Sequence, residues 1–294
     1  MNGFKNIQFY KFENLLFEDL LNFEELLQSI KFAPCKENDI QSYGWVSSYE
    51  KDSSQLVYEY QNNLLIKLKI EEKRIPQNVL NEELKKKISL LEKSSNTRIS
   101  SDQKAIIKEE VHRQLIPRAF SNTSFIQALI IPSEKLILID SSSQTKAEFF
   151  LKVLRKTIGK LPVQPLDKNT SIEHLLYSWL TKRNLPDKLL LTNELEVKPS
   201  SNEKTVIKFA NYDLESNDNF ELLNNNQYVT KIGLEYNECI SFTLTNLLQV
   251  RKLKLMNSQK EESYDDDESF DTELILMIES LKELSGFVKS LIKL

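Results

Sequence analysis

The chain has 294 residues, 40% apolar and 28% charged, with a formal net charge of −4. At a prior of roughly 150 residues per domain, that length and composition suggest about two domains, each with a substantial core, in a soluble globular protein. No apolar run approaches the ~20 residues that cross a bilayer, and Met1-Asn2-Gly3-Phe4-Lys5 lacks the charged-then-apolar pattern of a signal peptide, so no membrane partner and a cytoplasmic location are expected.

The first third reads as an α+β unit. Lys5 to Lys11 is a short strand, and Leu15 to Ile30 carries a helical stripe of Leu16, Leu20, Phe23 and Leu27. Gln55 to Tyr60 and Leu64 to Ile70 make two strands around Asn62-Asn63, a dipeptide that suits a tight turn because Asn tolerates positive φ. A helical insertion follows, with Leu80, Leu84, Ile88 and Leu91 along one face. Ser94 to Thr97 is its turn, and Ser100 with Gln103 forms a capping box for a second helix carrying Ile107, Val111 and Leu115. The pair predicts an αα-hairpin. Pro117 disfavours helix at the residue before it, which leaves Arg118 and Phe120 at a helix exit where side chains project.

Strands resume at Phe125 to Ile131 and Leu136 to Asp140, and a helix runs from about Thr145 to Ile158, with Thr145 and Glu148 as its cap and Gly159 beyond its end. Pro162 and Pro165 read as a linker. The rest repeats the mixed pattern: a helix at Ser171 to Thr181, strands at Leu189 to Leu195 and Thr205 to Phe209, and a short helix at Leu214 to Asn224. Three meander strands follow at Tyr228 to Leu234, Cys239 to Leu244 and Val250 to Met256. A terminal helix has the stripe Leu274, Met277, Ile278, Leu281, Leu284, Val288 and Leu291. The fold class expected is α+β, with mixed or antiparallel sheets, packed helices and a protruding helical hairpin.

Several chemistries lack the residues they need. Five glycines, at 3, 44, 159, 233 and 286, make neither a Walker A loop nor a Rossmann fingerprint, both of which need closely spaced glycines beside phosphate. His112, His174, Cys35 and Cys239 have no zinc-site spacing, and the cysteines are expected as free buried thiols. The acidic cluster of Glu261, Glu262, Asp265, Asp266, Asp267, Glu268, Asp271 and Glu273 has no turn glycine or alternating oxygen ligands of a calcium loop, and reads as a solvated segment. No nucleophile elbow or activated thiol is present, so a binding protein without cofactor is favoured over an enzyme, a metal-dependent nuclease being the third choice.

The charges are unevenly spread. Residues 1–63 carry 5 Lys and Arg against 10 Asp and Glu, residues 64–168 carry 20 against 12, and residues 169–294 carry 14 against 21. A basic middle therefore lies between acidic flanks. Duplex DNA is a dense line of phosphates, and binding it without reading sequence needs Lys and Arg on one surface and little else. The candidates are Lys73, Arg74, Lys85, Lys86, Arg113 and Arg118 beside the helical insertion and Lys152, Arg155 and Lys156 on the later helix. The competing explanation is that lysines opposite an apolar stripe are what any solvated helix face presents.

Several stretches, in order and at consistent spacing, resemble one family: Phe4-Lys5-Asn6, Phe32-Ala33-Pro34-Cys35, Gly44-Trp45-Val46, Glu71-Glu72-Lys73-Arg74-Ile75-Pro76 and Pro117-Arg118-Ala119-Phe120-Ser121. The longest is Lys146-Ala147-Glu148 through Leu151-Lys152-Val153-Leu154-Arg155-Lys156 to Gly159-Lys160-Leu161-Pro162-Val163-Gln164-Pro165-Leu166. Through nearly its whole length the chain is similar to the bacterial recombination-associated RdgC family. The resemblance implies a nucleoid-associated, sequence-independent double-stranded DNA-binding protein, forming a homodimeric ring around the duplex and limiting access of the RecA recombinase. It also implies a central domain of residues 1–76 and 117–166, a hairpin tip of 77–116 and a C-terminal base of 167–294.

In that architecture Phe120 closes the tip interface, although the same residue fits an ordinary core phenylalanine. Leu281 and Leu284 fit either the base interface or packing on their own sheet. Gly3, in place of an expected tryptophan, and the less basic Lys208 to Asn211 depart from the family pattern and imply weaker, more salt-sensitive DNA binding. The alternative is a protein-interaction module of the same fold with weak or lost DNA binding.

Overall fold

A computed structural model describes residues 3–14, 20–49, 54–166, 172–199, 205–211, 214, 227–256 and 266–292, with the backbone alone for 266–270. The fold is α+β: one large sheet whose strand pairs are all antiparallel, with six α-helices among the described residues. The strands are β1 (Ile7–Phe12), β2 (Gln41–Val46), β3 (Val57–Tyr60), β4 (Asn63–Lys73), β5 (Ser121–Ile131), β6 (Leu136–Asp140), β7 (Val163–Pro165), β8 (Leu189–Pro199), β9 (Ile207–Ala210), β10 (Gln227–Tyr236), β11 (Ile240–Thr245) and β12 (Val250–Leu255). Their order is β2-β4-β5-β6-β1-β12-β11-β10-β8-β9, with β3 added on β4 and β7 on β1.

Strict alternation in β4, β5 and β6 supplies both faces of the N-terminal half of this sheet. Ile66, Leu68, Ile126, Ala128, Ile137 and Ile139 face one core, closed by α1 (Leu20–Gln28) and α4 (Gln144–Ile158). Leu65, Leu129, Ile131, Leu136 and Leu138 face the other, shared with α5 (Glu173–Lys182), α6 (Asp266–Ser290) and the C-terminal strands. The strand contact between the halves is narrow: Ile7 opposite Val250, and the Leu253 amide donating to the Lys5 carbonyl. Helix α6 bridges that joint. The Ser285 hydroxyl donates to Glu134 Oε2 and Lys289 Nζ to the Glu134 carbonyl, both at 2.9 Å, and the Tyr60 hydroxyl donates to Glu279 at 3.0 Å.

Leu281 and Leu284 are 0% exposed within this chain. They pack in the core that α6 shares with its own sheet, which fits the second of the two roles the sequence left open for them. Three further differences have local causes. Val163 to Pro165 is a strand and not a linker, because Phe12 and Lys11 offer it a free edge and proline at its end needs no amide. The hairpin turn is Gln61-Asn62, both at positive φ, one residue earlier than expected, with Asn63 already paired to Tyr60. Ser143, not Thr145, caps α4 by accepting from the Lys146 amide. The expected helix at Leu214 to Asn224 lies outside the described residues apart from buried Leu214, as does Leu16 of the first stripe.

Candidate nucleic-acid interface

Between β4 and β5 the chain leaves the sheet as α2 (Gln77–Ser95) and α3 (Ser101–Leu115). The two helices pack through Leu80, Ile107 and Val111, and the Ser100–Gln103 capping box is present. Pro117 ends α3 in a single 3-10 turn, Ile116–Arg118. At the root the two ends meet: Lys73 is opposite Ser121, and the Arg74 amide donates to the Phe120 carbonyl at 3.3 Å. Lys73, Arg74, Arg118 and Phe120 are thereby gathered at one place. Phe120 is 91% exposed, which removes the core-phenylalanine explanation.

The cations around this root differ in how they are held. Lys73 Nζ donates to the carbonyls of Lys36 and Glu37 at 2.9 and 2.6 Å, which fastens the loop after α1. Arg74 pairs with Glu72 at 2.9 Å, Lys86 with Glu83 at 2.7 Å, and Arg113 with Glu109 at 3.9 Å. All three are exposed pairs of the kind that contribute ~0–1 kcal/mol and exchange readily for another anion. Lys85 and Arg118 are exposed and have no ion pair among the described residues. Lys87, which the sequence pattern did not single out, crosses from α2 to Glu110 of α3 at 2.6 Å.

Helix α4 presents Lys152 and Lys156 to solvent, while its inner face buries Ala147, Phe150, Leu151 and Leu154. Lys156 Nζ sits 5.8 Å from the Tyr43 ring centroid. Arg155 is half-buried and its Nε donates to the Leu161 carbonyl at 3.3 Å, so it staples the end of its own helix. Arg155 and Lys73, each half-buried and bonded to backbone carbonyls, are less available than the exposed cations.

Two basic surfaces escaped the sequence reading. Lys67 and Lys69 of β4 point away from the α4 core, with Lys67 Nζ 4.9 Å from the Phe125 ring and Lys69 Nζ 4.3 Å from the Phe32 ring. Their alternation with Ile66, Leu68 and Ile70 was the available signal. In the C-terminal half, Lys208, Lys231 and Lys252 surround Glu196 and Glu194 on the sheet face away from α6, a grouping that a segment net of seven excess acids conceals. Burial alone raises the pKa of both carboxyls, but Lys252 and Thr243 at Glu194, and Lys231 and Thr230 at Glu196, outweigh it and hold both below the ordinary value.

Cys35 and Cys239 are free thiols, half-buried. Burial, followed by the Glu71 charge, raises the Cys35 thiol above its ordinary value, which disfavours the thiolate. Among the described residues no group of three His, Cys, Asp or Glu is placed to hold a metal. Glu261, Glu262 and Asp265 of the acidic cluster lie outside those residues, as do the side chains of Asp266, Asp267 and Glu268. Among the same residues no helix is long and apolar enough to cross a membrane.

Comparison with known proteins is consistent along the chain. The family described as "RdgC: Putative exonuclease, RdgC" matches residues 3–294. The protein named recombination-associated protein RdgC from Shewanella loihica is 34% identical over 297 residues, covering 96% of this chain and 97% of that protein. Its namesake from Psychromonas ingrahamii is 32% identical over 286 residues, covering 96% and 95%. That from Shewanella denitrificans is 35% identical over 251 residues, covering 85% and 83%. With one family matched over nearly every residue, and relatives of nearly equal length above 30% identity, the chain belongs to the recombination-associated RdgC family.

Proposed function

We propose that this chain binds double-stranded DNA without reading sequence, as a nucleoid-associated homodimeric ring that encircles the duplex and modulates RecA-dependent recombination. The observation that carries the proposal is the state of the middle-third cations. Lys85, Arg118, Lys152 and Lys156 are exposed, and Arg74, Lys86 and Arg113 are tied only by surface pairs, on a segment with 20 Lys and Arg against 12 Asp and Glu. Such cations trade a solvated carboxylate for phosphate at little cost, and counterion release from DNA supplies the free energy. The names of the relatives connect the family to recombination.

Self-association has its own support. A phenyl ring left 91% exposed at Phe120, beside Arg118 and at the root of α2 and α3, suits burial against a second copy, and a two-fold contact uses the same patch twice. In this arrangement residues 77–116 form the tip, residues 1–76 and 117–166 the central unit, and residues 167–294 the base.

Fluorescence anisotropy of a labelled duplex of arbitrary sequence across a salt series tests the proposal. The logarithm of affinity falls linearly with the logarithm of salt, with a slope of about −0.9 per phosphate neutralised. Arg118→Glu with Lys152→Glu flattens that slope and weakens all sequences alike. Absence of binding at low salt refutes the proposal and favours the protein-interaction module, for which the net charge of −4 is the specific support. The family's exonuclease description is checked separately. Labelled linear duplex is incubated with the protein and Mg²⁺ or Mn²⁺, and degradation abolished by Asp265→Ala with Asp266→Ala would establish the nuclease.

A further inference from the structure

A cleft of about 420 Å³ opens between the start of α1, strand β3 and the first turns of α6. Among the described residues β3 pairs with β4 alone, which leaves its other side to this cleft. The floor is aromatic: the half-buried Tyr49 and Tyr58 rings stack with centroids 5.5 Å apart and planes at 28°, beside Leu20 and Val57. The rim is acidic. Glu59 is exposed and has no ion pair among the described residues, and Asp271 reaches the cleft from α6. Burial, followed by the Asp271 charge, raises the Tyr58 hydroxyl above its ordinary value, so it stays a neutral donor beside that carboxylate. Residues 54–63 contain no Lys or Arg, and α6 carries Asp271, Glu273 and Glu279 before its first basic residue, Lys282. The cleft is preformed, because Glu24 of α1 accepts from the Leu56 and Val57 amides at 2.9 Å and ties β3 to α1.

We propose that this cleft is a docking site for an extended, arginine-bearing segment of another protein, with a guanidinium lying on the tyrosine pair and bonded to Glu59. A guanidinium is planar and weakly hydrated, stacks on aromatic faces and forks onto a carboxylate, so one side chain answers both the floor and the rim. A strand with one side uncovered suits an extended partner. Charge complementarity selects this occupant over the others. A phosphate would meet carboxylates here, which makes the cleft the chemical opposite of the basic surfaces described above. An apolar segment would desolvate Glu59 and leave it without a counter-charge. The inference does not rest on DNA binding, since the cleft and the basic middle third take ligands of opposite charge.

The test uses the full chain and a fluorescein-labelled nonapeptide of alternating arginine and glycine, with a lysine-for-arginine counterpart, both followed by anisotropy. The arginine peptide is expected to bind more tightly than the lysine peptide. Tyr58→Ala is expected to weaken it about two- to thirtyfold, the range of one cation–π contact, and Tyr58→Phe, which keeps the ring in its packing, to stay within about twofold of wild type. Glu59→Gln is expected to weaken the arginine peptide and reduce its salt dependence. Glu238→Gln, which removes the same charge from the exposed turn between β10 and β11, is expected to leave it unchanged. The proposal is overturned by a wild-type chain that does not bind the arginine peptide, by equal affinity for the two peptides, or by Tyr58→Ala binding as tightly as wild type. Equal losses in Glu59→Gln and Glu238→Gln overturn it too, because the attraction would then be one of net charge. A blunt duplex is titrated in parallel. A clear change in its affinity on Glu59→Gln would place nucleic acid at the cleft and overturn the proposal, whereas loss of duplex binding by the wild-type chain, with the peptide results as expected, removes the duplex reading and leaves this one intact.

Discussion

Gly44→Ala is the most demanding single change for this fold. A Cβ at position 44 would lie 2.4 Å from the Phe32 Cα and 2.5 Å from the Phe32 nitrogen, and both are backbone atoms that no rotamer can move aside. Either the Lys31-Phe32 segment lifts off or β2 shifts in register against β4. Lifting the segment breaks two hydrogen bonds, Phe32 amide to Trp45 carbonyl at 3.0 Å and Trp45 amide to Ile30 carbonyl at 2.9 Å, each worth about 0.5–1.5 kcal/mol. Overpacking against backbone adds about 1–3 kcal/mol. Lower chain entropy in the unfolded state returns about 0.4–1 kcal/mol. The net expectation is a destabilisation of about 2–4 kcal/mol.

Equilibrium urea unfolding, followed by the fluorescence of the fully buried Trp45 and Trp179, reads this directly. With a urea m-value of about 3 kcal/mol per molar, at the upper end of the small-protein range, the midpoint moves down by about 1 M. A midpoint within about 0.2 M of wild type would refute the reasoning, because it would mean that the Phe32 crossing is loose enough to absorb a methyl group.

The remaining expectations use the same assay. Gly286→Ala, in the body of α6 with nothing within 4 Å of the new methyl, raises stability by about 0.5–1 kcal/mol, and a fall would place an unrecognised contact there. Asp140 Oδ1 accepts from the Lys5 and Asn6 amides at 3.0 and 2.8 Å, while burial pushes its pKa above the ordinary 3.8 despite those bonds. The folded state therefore holds a proton more tightly than the unfolded chain, and stability falls as pH rises through the folded value. Asp140→Asn keeps the acceptor without the charge, so it is more stable than wild type at pH 7, with the difference vanishing below pH 3.8. Glu194 and Glu196 have the opposite sign. Their lowered pKa values contribute stability above the ordinary 4.5 that is lost as pH falls through the folded values, and Glu194→Gln with Glu196→Gln removes that acid sensitivity.

Elements with one strong period and a local stop were legible in the sequence. The α4 stripe, its glycine end, the Ser100–Gln103 box and the alternation along β4 are all local properties, and each appears where expected within a residue or two. Strand β2 was not, because Ser42-Tyr43-Gly44-Trp45 has a glycine where a strand should have a side chain, and the reason for it is a tertiary crossing 12 residues upstream. The α6 stripe predicted burial correctly but could not name the partner: Leu281 and Leu284 face their own sheet. Segment charge counts found the basic middle and missed both basic sheet faces, since strands put alternate residues on opposite sides and a linear count sums over the two.

The Lys31-Phe32 crossing also answers a second physical problem. Strand β2 ends the sheet order, and an open edge exposes unpaired amides and carbonyls to any passing strand. The Lys31–Trp45 bridge occupies part of that edge, and the absence of a side chain at Gly44 lets the covering segment lie close enough to bond. Bringing Phe32 across the edge is what sets the face of its ring against the Lys69 ammonium, 4.3 Å from the centroid, so protection of the sheet edge and this cation–π contact are one construction.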